Sequence, residues 1–313
     1  MKRIQYLGWF VGISIFLVAC GKVTYRKTVG GMPYKLYKGD EKKKIQAGNY
    51  VKYHVKFVMK RADKDTVYFD SYNRIPVYAP VMSASQPYDV SEIWTQLGTG
   101  DSLVTTQMID TFLKRNPDMG IDGKFKKGEK LITYIKILDV ITTDSLKLVD
   151  EEMERKKYLA GEIAEVEAYL AKKNIKAVKT PSGAYVEIKK QGAGPIDSGK
   201  FVQVNYTGTS FSGKKFDSNT DSSFHHLEPL AFTVGNGSMI KGFDEAVMMM
   251  GVGANARVYV PSMLGYGPNP DPRSGIKPFE HIYFDIDVLG LQDQDPRVRP
   301  SVGKKIDQTQ PQK

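Results

Sequence analysis

Residues 201–218 read FVQVNYTGTSFSGKKFDS, and this run decides the fold. Val202, Val204 and Tyr206 alternate with Gln203 and Asn205, the period-two pattern of a half-buried strand. Gly208, Gly213 and Lys214 come close to a phosphate-binding loop. However, Lys215 stands where Ser or Thr would hold magnesium, and the chain runs on into Phe216 and Asp217 rather than into a helix. A hairpin turn accounts for the glycines. Working outward, residues 185–188, 230–234, 256–260 and 282–289 are strand-like, while 239–250 is helical, with Ile240, Phe243 and Val247 on one face. The run Met248 to Met250 reads as packing. Strands outnumber helices without strict alternation. The expectation is an α+β fold, a mainly antiparallel twisted sheet wrapped around a short helix.

The same pattern occurs earlier in the chain. Gly48, Tyr50 and Val51 match Gly199, Phe201 and Val202 at an offset of 151. Phe69-Asp70-Ser71 matches Phe216-Asp217-Ser218 at 147, Gly98 and Gly100 match Gly251 and Gly253 at 153, and residues 131–140 match 282–291 at 151. Four matches in the same order predict two copies of one fold. The boundaries read as 31–142 for the first copy, 143–180 for a helical linker, 181–293 for the second copy and 294–313 for a polar, disordered tail. In the linker, Asp144 or Ser145 caps a helix that Asn174 ends, with Ile163, Val166, Tyr169 and Leu170 on one side. That stripe admits two readings: a surface for a homodimer, or a spacer packed on one domain.

The N-terminus reads as an export signal. Lys2 and Arg3 precede a 14-residue apolar run from Tyr6 to Ala19, and Leu17-Val18-Ala19-Cys20 has the form of a lipoprotein cleavage site. The run is shorter than the ~20 residues that span a bilayer. Residues 1–19 are therefore taken as the signal, Cys20 as the lipid-bearing residue that attaches the protein to a membrane, and 20–30 as a tether. Cys20 is the only cysteine, so no internal disulfide forms. Gly21 stands where an inner-membrane retention signal places Asp, which points to an envelope lipoprotein of the outer membrane. No acidic cluster of the kind some surface lipoproteins carry follows Cys20, which points to the side facing the periplasm. A net charge of +10 is spread over 313 residues without a basic patch interleaved with aromatics, so no nucleic-acid partner is expected. His225 and His226 read as solvated loop residues, and no metal or cofactor set accompanies them.

What remains is a set of aromatics with one acid, and here residues 201–291 resemble an FKBP-type peptidyl-prolyl isomerase. The resemblance rests on Tyr206-Thr207-Gly208, on Gly213-Lys214-Lys215-Phe216-Asp217-Ser218, and on Phe232-Thr233-Val234-Gly235. It continues through Ile240-Lys241-Gly242-Phe243, Met250-Gly251-Val252-Gly253, Tyr266-Gly267 and the closing strand with Phe284. It implies two FKBP-like domains joined by the linker. It also implies that Tyr206, Asp217, Tyr266 and Phe284 act on the substrate, in a pocket completed by Phe216, Leu230, Met239, Ile240, Phe243 and Ile276. The sequence departs from the family pattern in having Phe243 where Trp is usual, Leu230 where an aromatic is often found, and Pro268, Pro270 and Pro272 in the flap. The partners implied are proline-containing polypeptides, and the activity is prolyl isomerisation in the folding of exported proteins. The alternative is a non-catalytic peptide-binding chaperone or a subunit of an envelope assembly. No residue assigned to the pocket titrates near neutrality, so a nearly flat rate between about pH 6 and 8 is expected. The first copy is a poor version of the second: Thr133 matches Phe284, Trp94 lies in an altered helix segment, and no Tyr-Gly flap follows. It reads as a fold kept for binding or positioning.

Overall fold

The computed structural model describes residues 23–40, 42–117 and 125–297. They fall into two compact units, one ending at Arg155 and one beginning at Lys156. The signal segment, Cys20 and most of the expected tail lie outside the described residues. Among the described residues, no helix is long and apolar enough to cross a membrane.

The first unit is built on β1 (Val23–Lys27), β2 (Pro33–Tyr37), β3 (Tyr50–Lys60), β4 (Thr66–Asp70), β5 (Val77–Pro80), β6 (Ser102–Met108) and β7 (Lys130–Ile141). These form an antiparallel sheet in the order β1-β2-β6-β7-β3-β4, with β5 beside β3. A 3-10 helix at Val90–Gln96 lies between β5 and β6, and α1 (Ile109–Arg115) follows β6. The long helix α2 (Asp144–Lys172) comes next. The second unit has β8 (Val178–Lys179), β9 (Tyr185–Lys190), β10 (Phe201–Ser210), β11 (Lys215–Ser218), β12 (Leu230–Thr233), β13 (Asn255–Val260) and β14 (Ile282–Gln292). Its order is β11-β10-β14-β13-β9-β8, with β12 beside β10. Strand for strand this is the first topology again. The architecture is therefore α+β, with two FKBP-like sheets.

The repetition extends to irregularities. The β3–β7 ladder shifts register between Lys52 and Tyr53, and the β10–β14 ladder shifts between Gln203 and Val204, an offset of 151. Gly48 and Gly199 both have left-handed φ, +86° and +89°, and donate to Val81 and Val234. One motif is out of step. Lys56 pairs with Asp70, whereas its counterpart Thr207 pairs with Ser218. Asp70 thus stands at the level of Ser218, not of Asp217, and the recurring Phe-Asp-Ser triplet is slipped by one residue. Because side chains alternate across a strand, the slip sends Asp70 to the wrong face, where it pairs with Lys56 at 2.9 Å.

Each core lies between its sheet and the helix that packs on it. Ile282, Phe284, Ile286 and Val288 point inward along β14 as its period of two requires. They meet Phe243, Ala246 and Val247 of α3 (Lys241–Met249). The opposite face of this sheet, with Tyr185, Tyr259 and Tyr283, is covered by Ile163, Val166, Tyr169 and Leu170 of α2. The stripe that admitted a homodimer is thus occupied within its own unit. Asn174, in left-handed conformation at φ +55°, ends the helix, and Ile175 N–H returns to Leu170 at 3.0 Å.

Three boundaries move. The expected tether 20–30 contains β1, which pairs with β2 from Val23↔Tyr37 to Lys27↔Pro33. The polar, exposed side chains of Arg26 and Lys27 conceal it in the sequence, as is usual for an edge strand. The second sheet begins inside the expected linker, at Val178, because β8 pairs with β9. Past residue 294, the Arg297 guanidinium still lies 5.1 Å over the Phe201 ring.

Candidate active site

The residues expected to form the pocket come together in the core cluster of the second unit, with Tyr266 joined to it through Phe216. β10 supplies Tyr206, β11 Phe216 and Asp217, β12 Leu230, and α3 Phe243, with Met239 and Ile240 just ahead of it. The chain beyond β13 supplies Tyr266 and Ile276, and β14 supplies Phe284. Phe243, Ile276 and Phe284 are buried, whereas Tyr206, Phe216, Leu230, Met239 and Ile240 are half-buried on the same cluster. Tyr266, 39 % exposed, stands at the rim.

The rings meet edge to face. Phe243 lies 5.1 Å from Phe284 at 84°, Phe216 lies 5.6 Å from Phe284 at 87°, and Tyr266 lies 5.9 Å from Phe216 at 86°. Tyr206 reaches both Phe243, at 6.1 Å, and Phe284, at 6.2 Å. Such tilted contacts are the favourable arrangement of aromatic quadrupoles. Gly208 makes the packing sterically possible. A Cβ on it would come within 2.5 Å of Phe216 and 2.9 Å of Phe284. Sequence reading took Gly208 for a turn glycine, whereas it lies inside β10.

One carboxylate organises the polar side. Tyr206 Oη donates to Asp217 Oδ2 at 2.6 Å, and His226 Nε2 lies 2.7 Å from Asp217 Oδ1. Burial, and then the bond to Asp217, push the Tyr206 hydroxyl above the usual phenol range. Burial and the Asp217 charge do the same to Tyr266. Both phenols therefore stay protonated and available as donors at neutral pH. Tyr266 has no hydrogen-bond partner among the described residues, so its hydroxyl is open to a ligand.

Sequence reasoning missed three supporting groups. His226 is not merely solvated, since it touches Asp217. Buried Asn219 accepts from Tyr206 N–H at 2.7 Å and donates to Val204 O at 3.1 Å and Glu228 O at 3.2 Å, pinning the loop to β10. Glu162 on α2 accepts from Ser262 Oγ, and from Met263 N–H at 2.9 Å, fixing the segment that leads to Tyr266. Nothing in their sequence neighbourhood marks any of the three, because His226 and Asn219 act across the fold of a loop and Glu162 on a segment 100 residues away.

A family model described as FKBP-type peptidyl-prolyl cis-trans isomerase matches residues 192–289, within the second unit. The chain is 36% identical over 96 residues to the peptidyl-prolyl cis-trans isomerase of Schizosaccharomyces pombe, covering 31% of this chain and 81% of that protein. It is 34% identical over 113 residues to FK506-binding protein 1A of Neurospora crassa, covering 35% of this chain and 89% of that one. FK506-binding protein 4 of Emericella nidulans is 37% identical over 116 residues, which are 37% of this chain but only 23% of that relative's length. A crystal structure of a peptidyl-prolyl cis-trans isomerase from Pseudomonas syringae pv. tomato aligns at 26% identity and a TM-score of 0.35, covering 42% of this chain and 95% of that one. The chain belongs to the FKBP-type peptidyl-prolyl cis-trans isomerase family.

Proposed function

We propose that the second unit accelerates rotation about X-Pro peptide bonds in exported polypeptides during their folding. The observation that carries this reading is the edge-to-face cluster of Phe216, Phe243 and Phe284, beside the Tyr206–Asp217 pair and the open hydroxyl of Tyr266. An X-Pro bond turns over ~10–100 s unaided, against a barrier of about 20 kcal/mol set by amide resonance. No covalent bond is made or broken, so the site needs no nucleophile. It needs to hold the twisted amide better than the planar one. Phe243 supports the proline ring from below, with Phe284 and Tyr206 as walls. Tyr266 donates to the carbonyl before the proline, and Asp217 fixes the Tyr206 hydroxyl. In this water-poor cleft, the twisted amide, with its charge separation reduced, is favoured over the delocalised planar form. The test is kcat/KM of the full chain on X-Pro peptides, alongside proline-limited refolding of a denatured protein. A rate equal to the uncatalysed one in both assays removes the proposal.

We propose further that lipid on Cys20 holds the protein at the outer membrane, facing the periplasm. Several acyl chains give lasting attachment where a single chain is marginal. Replacing Cys20 with Ser should release the protein or block its processing. Unchanged membrane association with normal cleavage would speak against lipidation.

A further inference from the structure

We infer that the first unit holds a second polypeptide-binding site, one that captures a ring-bearing side chain without isomerising anything. The first unit has a partly open cavity of about 310 Å³ between its sheet and the 3-10 helix that carries Trp94. Its place in the fold is that of the candidate active site. Phe57 pairs with Thr133 as Gly208 pairs with Phe284, and Val55 pairs with Ile135 as Tyr206 pairs with Ile286. The 3-10 helix occupies the interval between β5 and β6 that α3 occupies between β12 and β13.

The ring has moved between strands. Where the second unit has Phe284 opposite Gly208, the first has Thr133 opposite Phe57. The exchange refills part of the space and leaves the rest open. Trp94, buried, forms the floor, with its ring 5.5 Å from that of Tyr53. At ~300 Å³ the hollow is at the small end of ligand pockets, enough for one side chain and its flanking backbone.

The polar lining selects the occupant. Tyr53 has no hydrogen bond to a described residue, and burial followed by the charge of Asp89 raises its pKa, so it remains a donor. Asp89 is engaged by its own helix, its carboxylate accepting from Ser91 N–H at 2.8 Å and from the Glu92 backbone in a capping box. Gln107 uses its amide nitrogen on Tyr88 O at 2.9 Å and keeps its side-chain oxygen to accept with. One donor and one acceptor beside an aromatic floor complement the C=O and N–H groups of an extended peptide on either side of a proline or aromatic ring. No cation lines the cavity, which disfavours anionic metabolites. With no acid at the level of Asp217 and no flap tyrosine, the site binds and does not catalyse.

Trp94 and Trp9 are the only tryptophans in the chain, so a Trp9→Phe background makes Trp94 emission a reporter of this cavity. The full chain is titrated with the peptide Ala-Phe-Pro-Phe, using Ala-Gly-Gly-Gly as control. The expected result is a saturable change with the first peptide only, with a Kd of about 1 mM or tighter. Thr133→Phe fills the hollow and should weaken the response at least tenfold, with the isomerase rate unchanged. Tyr53→Phe removes one hydroxyl and should weaken it about three- to tenfold. If Thr133→Phe does not fold, Tyr53→Phe decides. Phe284→Ala, in the other unit, should leave the Trp94 response intact. The inference is overturned by no response at ~5 mM peptide. It is equally overturned by a response undiminished in the folded first-unit variants, or by one that disappears with Phe284→Ala.

Discussion

Gly208 shows how one missing Cβ positions three rings. An Ala there would drive Phe216 and Phe284 apart, since its Cβ would fall 2.5 and 2.9 Å from them. Gly208→Ala is expected to cost about 1–3 kcal/mol of stability through overpacking and to lower kcat/KM more than its effect on Tm explains. Two other substitutions separate shape from hydrogen bonding. Phe284→Ala removes a buried wall, costs ~3–5 kcal/mol of stability and should nearly abolish turnover in whatever fraction stays folded. Tyr266→Phe keeps the shape and should lose about tenfold or less. A loss of several thousandfold in Tyr266→Phe would point to proton transfer instead. His226 adds a contact that the sequence did not show, its Nε2 lying 2.7 Å from Asp217 Oδ1. We expect His226→Gln to lower kcat/KM by about two- to tenfold, the worth of one hydrogen bond. An unchanged kcat/KM in this variant would show that the contact is without consequence.

At the scale of elements, alternation and glycine spacing made most strands and the repeat legible. What was not legible depended on hydrogen-bond ladders. The Phe69-Asp70-Ser71 triplet repeats by letter, yet the Lys56↔Asp70 pairing puts its acid one position away from that of Asp217. The α2 stripe was visible at Ile163, Val166, Tyr169 and Leu170, but its partner was not, because the tyrosines it covers lie on strands far along the chain. The site's rings could be found through family motifs, whereas Asn219, His226 and Glu162 emerge only from packing. Glu162 supplies a test at this scale. Burial raises its pKa against the opposing bonds from Ser262 and Met263. The folded state therefore keeps this proton to higher pH than the unfolded chain does, and above the ordinary glutamate range stability falls as pH rises through the folded value. Glu162→Gln abolishes that proton linkage. The Tm of the variant minus that of wild type should accordingly grow from about pH 4.5 to 7. A constant difference would mean that the buried charge is not felt.

For the whole molecule, the two sheets share one topology but not one chemistry, and the activity should follow the rings rather than the fold. A fragment of residues 156–297 is expected to keep essentially all of the isomerase rate, and residues 23–155 to have none. The boundary read from sequence, at 181, is too late, since it omits both β8 and the half of α2 that covers Tyr185, Tyr259 and Tyr283. Val166 and Leu170 are buried on that face, and each such side chain contributes about 1.5–3 kcal/mol when removed from water. A fragment of residues 178–297 keeps β8 but lacks this cover. It should therefore unfold at a Tm at least ~10 °C lower than that of 156–297, while its kcat/KM, measured well below that Tm, stays within about threefold, because none of the pocket rings comes from α2. Glu162 is the one link that could carry a larger effect, through Ser262 and Met263 to Tyr266. If the shorter fragment is stable but loses activity, adding Glu162→Ala to the longer one decides the cause. An equal loss there assigns it to the flap anchor, and an unaltered rate would show that the helix acts on the pocket by a route other than this carboxylate.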